Sequence, residues 1–123
     1  MWQQSLGSLR ERAIASSTAA TSPRERKAYV RNRSRAIRVY VLKRADGVCE
    51  GCGVDAPFLT GSGRPYLESH HIRSISDAGP DDPLWVGALC PNCHRRAHHS
   101  ADSSEFNKEI AGIVGDKEQQ LGL

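Results

Sequence analysis

Long apolar runs are missing from this chain of 123 residues. Nothing in it approaches the ~18 consecutive apolar residues of a membrane-spanning helix, so no membrane-crossing helix is expected. The first residues also lack the apolar centre of a secretory signal. The expectation is an intracellular, cytoplasmic protein with reduced thiols, where paired cysteines favour metal over disulfides. Aromatic residues are scarce, at 6%, and hydrophobic residues make up only 38%, so the core must be small and in need of reinforcement. Acidic residues are nearly absent between Arg24 and Arg44, where nine of the 17 basic residues face only Glu25. Such a block suits a polyanion; the plainer reading is a solvated helix face.

What the chain does have is metal-binding chemistry crowded into one third of its length. All five histidines (His70, His71, His94, His98 and His99) fall between Tyr66 and His99. Cys90-Pro-Asn-Cys93 lies in the same stretch, and Cys49-Glu-Gly-Cys52 lies just upstream. Two cysteines separated by two residues fit one edge of a tetrahedral metal, and the glycines let the backbone turn tightly. Two such knuckles make a closed four-thiolate site, as structural zinc prefers. A redox pair and ordinary buried cysteines are the competing readings. A zinc ion here would tie the middle of the chain together where apolar burial is thin.

The local patterns predict an α+β chain. Residues 1–22 read as a flexible segment with at most a short helix from Leu6 to Ala15. Ser22-Pro23 starts a basic arm or helix, Asn32 and Ser34 are expected to break it, and a firmer helix runs from Arg35 to Ala45. Ile37, Tyr40 and Val41 form its inner face, while Arg35, Arg38, Lys43 and Arg44 reach past the rim. Phe58–Pro65 is a turn region and Tyr66–Ile72 a strand. Ser74–Pro83 is a loop, Trp85–Leu89 a second strand, and Pro91 opens a helix to about His99. Asp102-Ser-Ser-Glu105 resembles a capping box for a short helix ending near Gly115, with Phe106, Ile110 and Ile113 on its inner face.

Helical spacing then sorts the histidines. His94 and His98 are four residues apart and project from one face, as two ligands of one metal would. His99 points away, as a surface or phosphate-contacting residue. Cys93 lies about 100° round the helix from His94, so neighbouring faces can serve two different metals. His70 and His71 are adjacent on a strand and point to opposite sides. For an isolated pair, one buried and one exposed histidine with no shared chemistry would be the bland reading. Glu68 shares the His70 face and is a candidate to orient it, against the alternative of an exposed strand carboxylate.

From Cys49 to His98 the chain resembles the HNH endonucleases, whose fold is the ββα-metal finger. The resemblance rests on the CxxC before the hairpin, Glu68-x-His70-His71, and the ALCPNCHRRAH segment. The wider stretch, with VLKRADGVCEGCG and PYLESHHI, is most similar to the McrA-like restriction nucleases that act on modified cytosine. The resemblance implies His71 as general base and His70, His94 and His98 as ligands of a catalytic divalent metal (Mg, Mn, Ni or Zn). That metal is distinct from a structural Zn on Cys49, Cys52, Cys90 and Cys93. It would touch the scissile phosphate and stabilise the leaving 3′ oxygen, giving 5′-phosphate and 3′-hydroxyl ends. Imidazole, with an ordinary pKa of ~6.5, suits the role of base near neutrality. Arg64 resembles the phosphate-facing arginine of nuclease colicins, and Arg95 and Arg96 are further candidates. The family's middle Asn lies nine residues before the first helix histidine, where this chain has Trp85. Trp85 is therefore expected to anchor the hairpin core.

The expected organisation is a flexible segment at 1–22, a basic arm and helix at 23–47, an HNH nuclease domain with structural zinc at 48–115, and a frayed tail at 116–123. The expected partner is double-stranded DNA, held by Arg31, Arg33, Arg35 and Arg38 together with Arg64, Arg95 and Arg96. A homodimer is left open. Restriction of modified DNA is the leading role. A catalytically weak zinc-stabilised DNA-binding module, a zinc-stabilised protein-interaction domain and a phage packaging or homing nuclease are the alternatives.

Overall fold

A computed structural model of the chain describes residues 2–14, 22–72 and 82–122. Helices α1 (Leu6–Ile14) and α2 (Pro23–Ala45) precede strand β1 (Glu68–His71), and a 3-10 turn over Pro83–Trp85 leads into strand β2 (Val86–Leu89). Helices α3 (Pro91–His99) and α4 (Ser103–Gln120) follow. The strands are antiparallel, with Glu68 opposite Leu89 and His71 opposite Val86. The expected loop at 74–83 lies mostly outside the described residues.

Helix α2 begins as its sequence predicts. The Ser22 hydroxyl accepts the Glu25 N–H at 3.1 Å, and Pro23 occupies the first turn. It does not break at Asn32 or Ser34, and 23 residues form one helix that ends at Asp46 in the left-handed region. Asn or Ser inside a helix costs only tenths of a kcal/mol relative to good formers. Burial of Ala36, Ile37, Val39, Tyr40 and Val41 offsets that easily. Both polar residues face solvent, so neither carries a desolvation cost.

Both ends of the chain hold more structure than their composition suggests. The short helix allowed from Leu6 to Ala15 forms as α1, and the segment is held more firmly than a flexible one: Leu9 is completely buried, with Trp2 and Leu6 packed beside it. The Lys43 ammonium donates to the carbonyls of Trp2 and Gln4 and ties this segment to α2. At the other end, α4 continues past Gly115 to Gln120, through residues expected to fray. Glycine costs about 1 kcal/mol in a helix interior. Buried Val114 and Glu118 on either side offset that cost, and Val114 rather than Ile113 completes the inner face with Phe106 and Ile110. Asp102 sits at the start of α4 without capping it, because its carboxylate is bound to Arg96 and the Ser100 hydroxyl.

Two charges lie at the centre of the fold. Arg44 turns inward instead of reaching past the rim and is almost fully buried. Its guanidinium donates to Glu50 at 2.9 and 2.7 Å, to the Pro83 carbonyl at 2.9 Å and to the Val86 carbonyl at 2.8 Å. The Glu50 carboxylate also accepts from the Ala88 N–H at 2.9 Å and the Lys117 ammonium at 3.0 Å. Burial pushes this carboxyl up, but the Arg44 bonds and charge outweigh that and hold it below the usual carboxylate range. Close by, the Tyr40 hydroxyl donates to Glu118; burial and then that bond push the phenol well above its ordinary value.

Glu50→Ala should therefore destabilise the protein by about 3–5 kcal/mol, since it removes both direct carboxylate bonds of the buried Arg44 and leaves only Glu118, 3.8 Å away, as a counter-charge. Urea denaturation at neutral pH checks this; a loss below about 1 kcal/mol would mean that solvent reaches Arg44.

Candidate metal centres

The first centre is built from two knuckles. The chain leaves α2, turns at Asp46 and Gly47, and enters Cys49–Cys52 with the Cys49 N–H bonded to the Val54 carbonyl at 2.9 Å. The Glu50 N–H donates to the Ala88 carbonyl at 2.8 Å, fixing this knuckle against β2. The second knuckle is the start of α3, where Cys90 is the N-cap and its Sγ accepts the Cys93 N–H at 3.4 Å. The Sγ atoms of Cys49, Cys52, Cys90 and Cys93 all lie within 4.8 Å of one another. Zinc–sulfur bonds of ~2.3 Å require S···S edges of about 3.8 Å, so a small contraction would close a tetrahedron. Burial pushes the Cys49 thiol up, but N–H bonds from Cys90, Cys52 and Gly51 outweigh it and bring it down to about 7. Burial pushes the Cys90 and Cys93 thiols up instead, so without a metal Cys49 is the readiest of these three to ionise.

Close packing explains the small residue in the first knuckle. A Cβ on Gly51 would lie 3.0 Å from the Phe106 ring, 3.2 Å from Leu89 and 3.3 Å from Cys93. Gly53 turns the chain with φ of 73°, a conformation that side chains resist.

The second centre lies on the neighbouring face of α3. His94 and His98, one turn apart, converge on His70 from β1, and the three rings offer nitrogens within 4.8 Å of one another. The Nε2 atoms of His94 and His98 are 3.2 Å apart. Two nitrogens bonded to one tetrahedral ion at ~2.1 Å would lie about 3.4 Å apart. The outer nitrogens are engaged elsewhere. His94 Nδ1 is 2.7 Å from Glu68 Oε1, and the Tyr66 hydroxyl donates to Glu68 Oε2 at 2.7 Å. His70 Nε2 is 2.7 Å from Asn107 Oδ1. His70 Nδ1 is left buried with no hydrogen-bond partner. An orphaned imidazole nitrogen aimed at two others is what a metal ligand looks like.

Electrostatics favour neutral rings here. Burial holds His70 below the usual imidazole value, although the Asn107 bond works the other way. His98 is lowered too, by desolvation and then by His94, His99 and Arg95. The His94 bond, then the Tyr66 bond, keep Glu68 ionised below the usual carboxylate range. Protons therefore compete weakly for His70 and His98.

The remaining candidate residues divide sharply. A groove of about 580 Å³ runs beside the histidines, and Arg38, Glu68, His94, Arg95, His98 and His99 are among its lining residues. Arg31 and Arg35 are exposed on α2, and the Arg33 side chain lies outside the described residues. Arg64 is not at this groove; it stacks 4.4 Å over the Trp2 ring beside a separate cleft. Arg96 bonds Asp102 at 2.5 Å and covers the Phe106 ring at 4.0 Å, bracing α3 against α4. His71 is half-buried at the end of β1 and outside the three-nitrogen cluster. Glu68 orients His94, not His70 as its strand position suggested, because α3 packs across the same strand face.

Trp85 is only half-buried and closes the 3-10 turn instead of starting β2. Its carbonyl accepts the Ile72 N–H at 2.8 Å, so its backbone closes the hairpin while Val86, Leu89 and Ile110 fill the core. Sequence reasoning missed two residues at the histidine centre. Tyr66 was legible in principle, two residues from Glu68 on the same strand face. Asn107 lies on another helix and carries no local signal.

Residues 49–100 match the family model for the HNH endonuclease. Over 83 residues, 68% of this chain, the sequence is 43% identical to the type IV methyl-directed restriction enzyme EcoKMcrA of Escherichia coli (strain K12). The fold is similar to that of the type IV phosphorothioation-dependent restriction endonuclease ScoMcrA, with a TM-score of 0.74 and 27% identity over 96% of this chain. The chain spans 29% of the length of the first protein and 23% of the second.

Gly51→Val should cost about 1–3 kcal/mol, because the knuckle must withdraw from Phe106 and Leu89. Thermal denaturation of the metal-loaded protein tests it; an unchanged midpoint would show slack in the cysteine knuckle.

Proposed function

We propose that this chain, whose residues 49–100 match the HNH endonuclease family model, is a metal-dependent nuclease module of that family that hydrolyses phosphodiester bonds in double-stranded DNA. The observation that carries the reading is the orphaned His70 Nδ1, facing His94 and His98 beside an arginine-lined groove. A zinc-stabilised scaffold needs only the cysteines; it has no use for three imidazoles that bring their nitrogens together.

On this reading, Cys49, Cys52, Cys90 and Cys93 hold one structural zinc, and His70, His94 and His98 hold a second divalent ion. When bound, that ion supplies Lewis-acid charge neutralisation at the scissile phosphate and the leaving 3′ oxygen. An all-imidazole donor set suits Zn or Ni better than Mg, which prefers carboxylate and water oxygens. Glu68 does not alter that balance, since His94 and Tyr66 occupy its carboxylate. His71 takes the proton from the attacking water, as its position in the family motif implies. Arg38 and Arg95 hold the DNA backbone across the groove, and His99 lines it too. The products are 5′-phosphate and 3′-hydroxyl ends. The relatives named as methyl-directed and phosphorothioation-dependent enzymes support a role in restricting modified DNA.

Plasmid cleavage tests the role of each residue. His71→Ala should abolish nicking with Ni, Mn or Zn while leaving metal uptake at the parent level, because it removes a base and no ligand. Cleavage at the parent rate would take that role from His71. Arg38→Gln with Arg95→Gln should lower the slope of log affinity against log salt by about 2, roughly one for each phosphate that is no longer neutralised. Arg96→Gln should leave the slope unchanged. Equal slopes for all three would place DNA on another face.

A further inference from the structure

We propose that Asn107, on the C-terminal helix, is a positioning residue of the histidine metal centre and sets which nitrogen of His70 faces the metal. The inference rests on the reading that His70, His94 and His98 hold a divalent ion. It extends the site beyond the stretch that matches the family model, which ends at residue 100.

The argument starts from the amide of Asn107. Its Nδ2 donates to two carbonyls, Ala97 at 2.9 Å and Ser103 at 2.8 Å. Both amide protons are thereby engaged, so the side chain cannot flip. The Oδ1 must face His70, where it lies 2.7 Å from Nε2. An amide oxygen only accepts, so His70 Nε2 must carry the proton. The neutral ring then has its lone pair on Nδ1, the buried atom that lacks a partner. A metal binds the deprotonated nitrogen, and the hydrogen bond opposite it fixes both tautomer and ring angle.

Asn107 also fixes distance. One carbonyl it holds, Ala97, lies in the turn between His94 and His98, the two ligands on α3. A single side chain thus ties the strand ligand to the helix ligands and sets the gap between β1 and α3. Glu68 acts on His94 from the other side through Nδ1.

The test uses the full chain with its cysteine site loaded, comparing parent, Asn107→Leu, Asn107→Ala and the ligand control His98→Ala. Nitrogen-15 NMR of the parent without metal at the histidines should show His70 protonated at Nε2, with that proton shifted downfield and slow to exchange. Cobalt titration followed by visible absorption should show Asn107→Leu or Asn107→Ala binding at the histidine site about 10- to 100-fold more weakly. Thermal midpoints identify any variant that fails to fold; the parent spectrum decides without them. A His70 proton on Nδ1, or parent cobalt affinity in a folded Asn107 variant, overturns the proposal. Parent affinity in His98→Ala would instead sink the three-histidine reading itself, and this proposal with it.

Discussion

The buried pair of Arg44 and Glu50 is the constraint on which the rest of the structure depends. Glu50 lies inside the first cysteine knuckle, yet its carboxylate is bound to α2, β2 and α4 at once. Arg44 in turn holds the carbonyls on both sides of Trp85, where the 3-10 turn passes into β2. Neither charge could stay buried alone, since isolated ions in a protein interior cost several kcal/mol each. Each is satisfied by the other, by backbone groups and by a further charge, Lys117 for Glu50 and Glu118 for Arg44, so the pair works as a rigid rivet. It fixes the knuckle against the strand whose end becomes the second knuckle. The spacing of the four cysteines, and the strand register that places His70, follow from it.

Helix α3 shows why such a rivet is needed. Only Cys93 and Ala97 of its nine residues are buried, so apolar packing cannot fix its angle. Its first turn is held through the cysteines and its last through Arg96 against Asp102 and Phe106. Between those fastenings it carries His94 and His98. The cysteine centre and the histidine centre thus share one short helix, and order at the first sets geometry at the second.

The sequence was most readable where chemistry is local. CxxC spacing, the four-residue separation of His94 and His98, the Ser22-Pro23 start and the Pro91 start all depend on residues within one turn of each other, and each stands where expected. It was least readable where a polar residue chooses between solvent and a distant partner. Arg44 looked like a rim residue because its partner Glu50 lies outside its helix. Asp102 looked like a cap, but Arg96 and Ser100 compete for its oxygens and win. Glu68 shares a face with His70, and only the packing of α3 gives it His94 instead. Asn107 could not be read at all, because its role exists only once α4 has folded back on α3.

The same competition reshapes the basic block. Counting charge between Arg24 and Arg44 overstates what reaches a phosphate. Arg44 is buried in the core, and Lys43 is held by the backbone of Trp2 and Gln4. Arg64 and Arg96, outside the block, are occupied by aromatic rings. Among the described residues, Arg38 and Arg95 are the arginines that line the histidine groove. Two such cations give a modest electrostatic pull, because affinity for a polyanion grows with the number of phosphates neutralised. On the proposed reading, the groove places a phosphate against the imidazoles more than it captures DNA from solution. On the same reading, exposed Arg31 and Arg35 add sequence-independent attraction along α2.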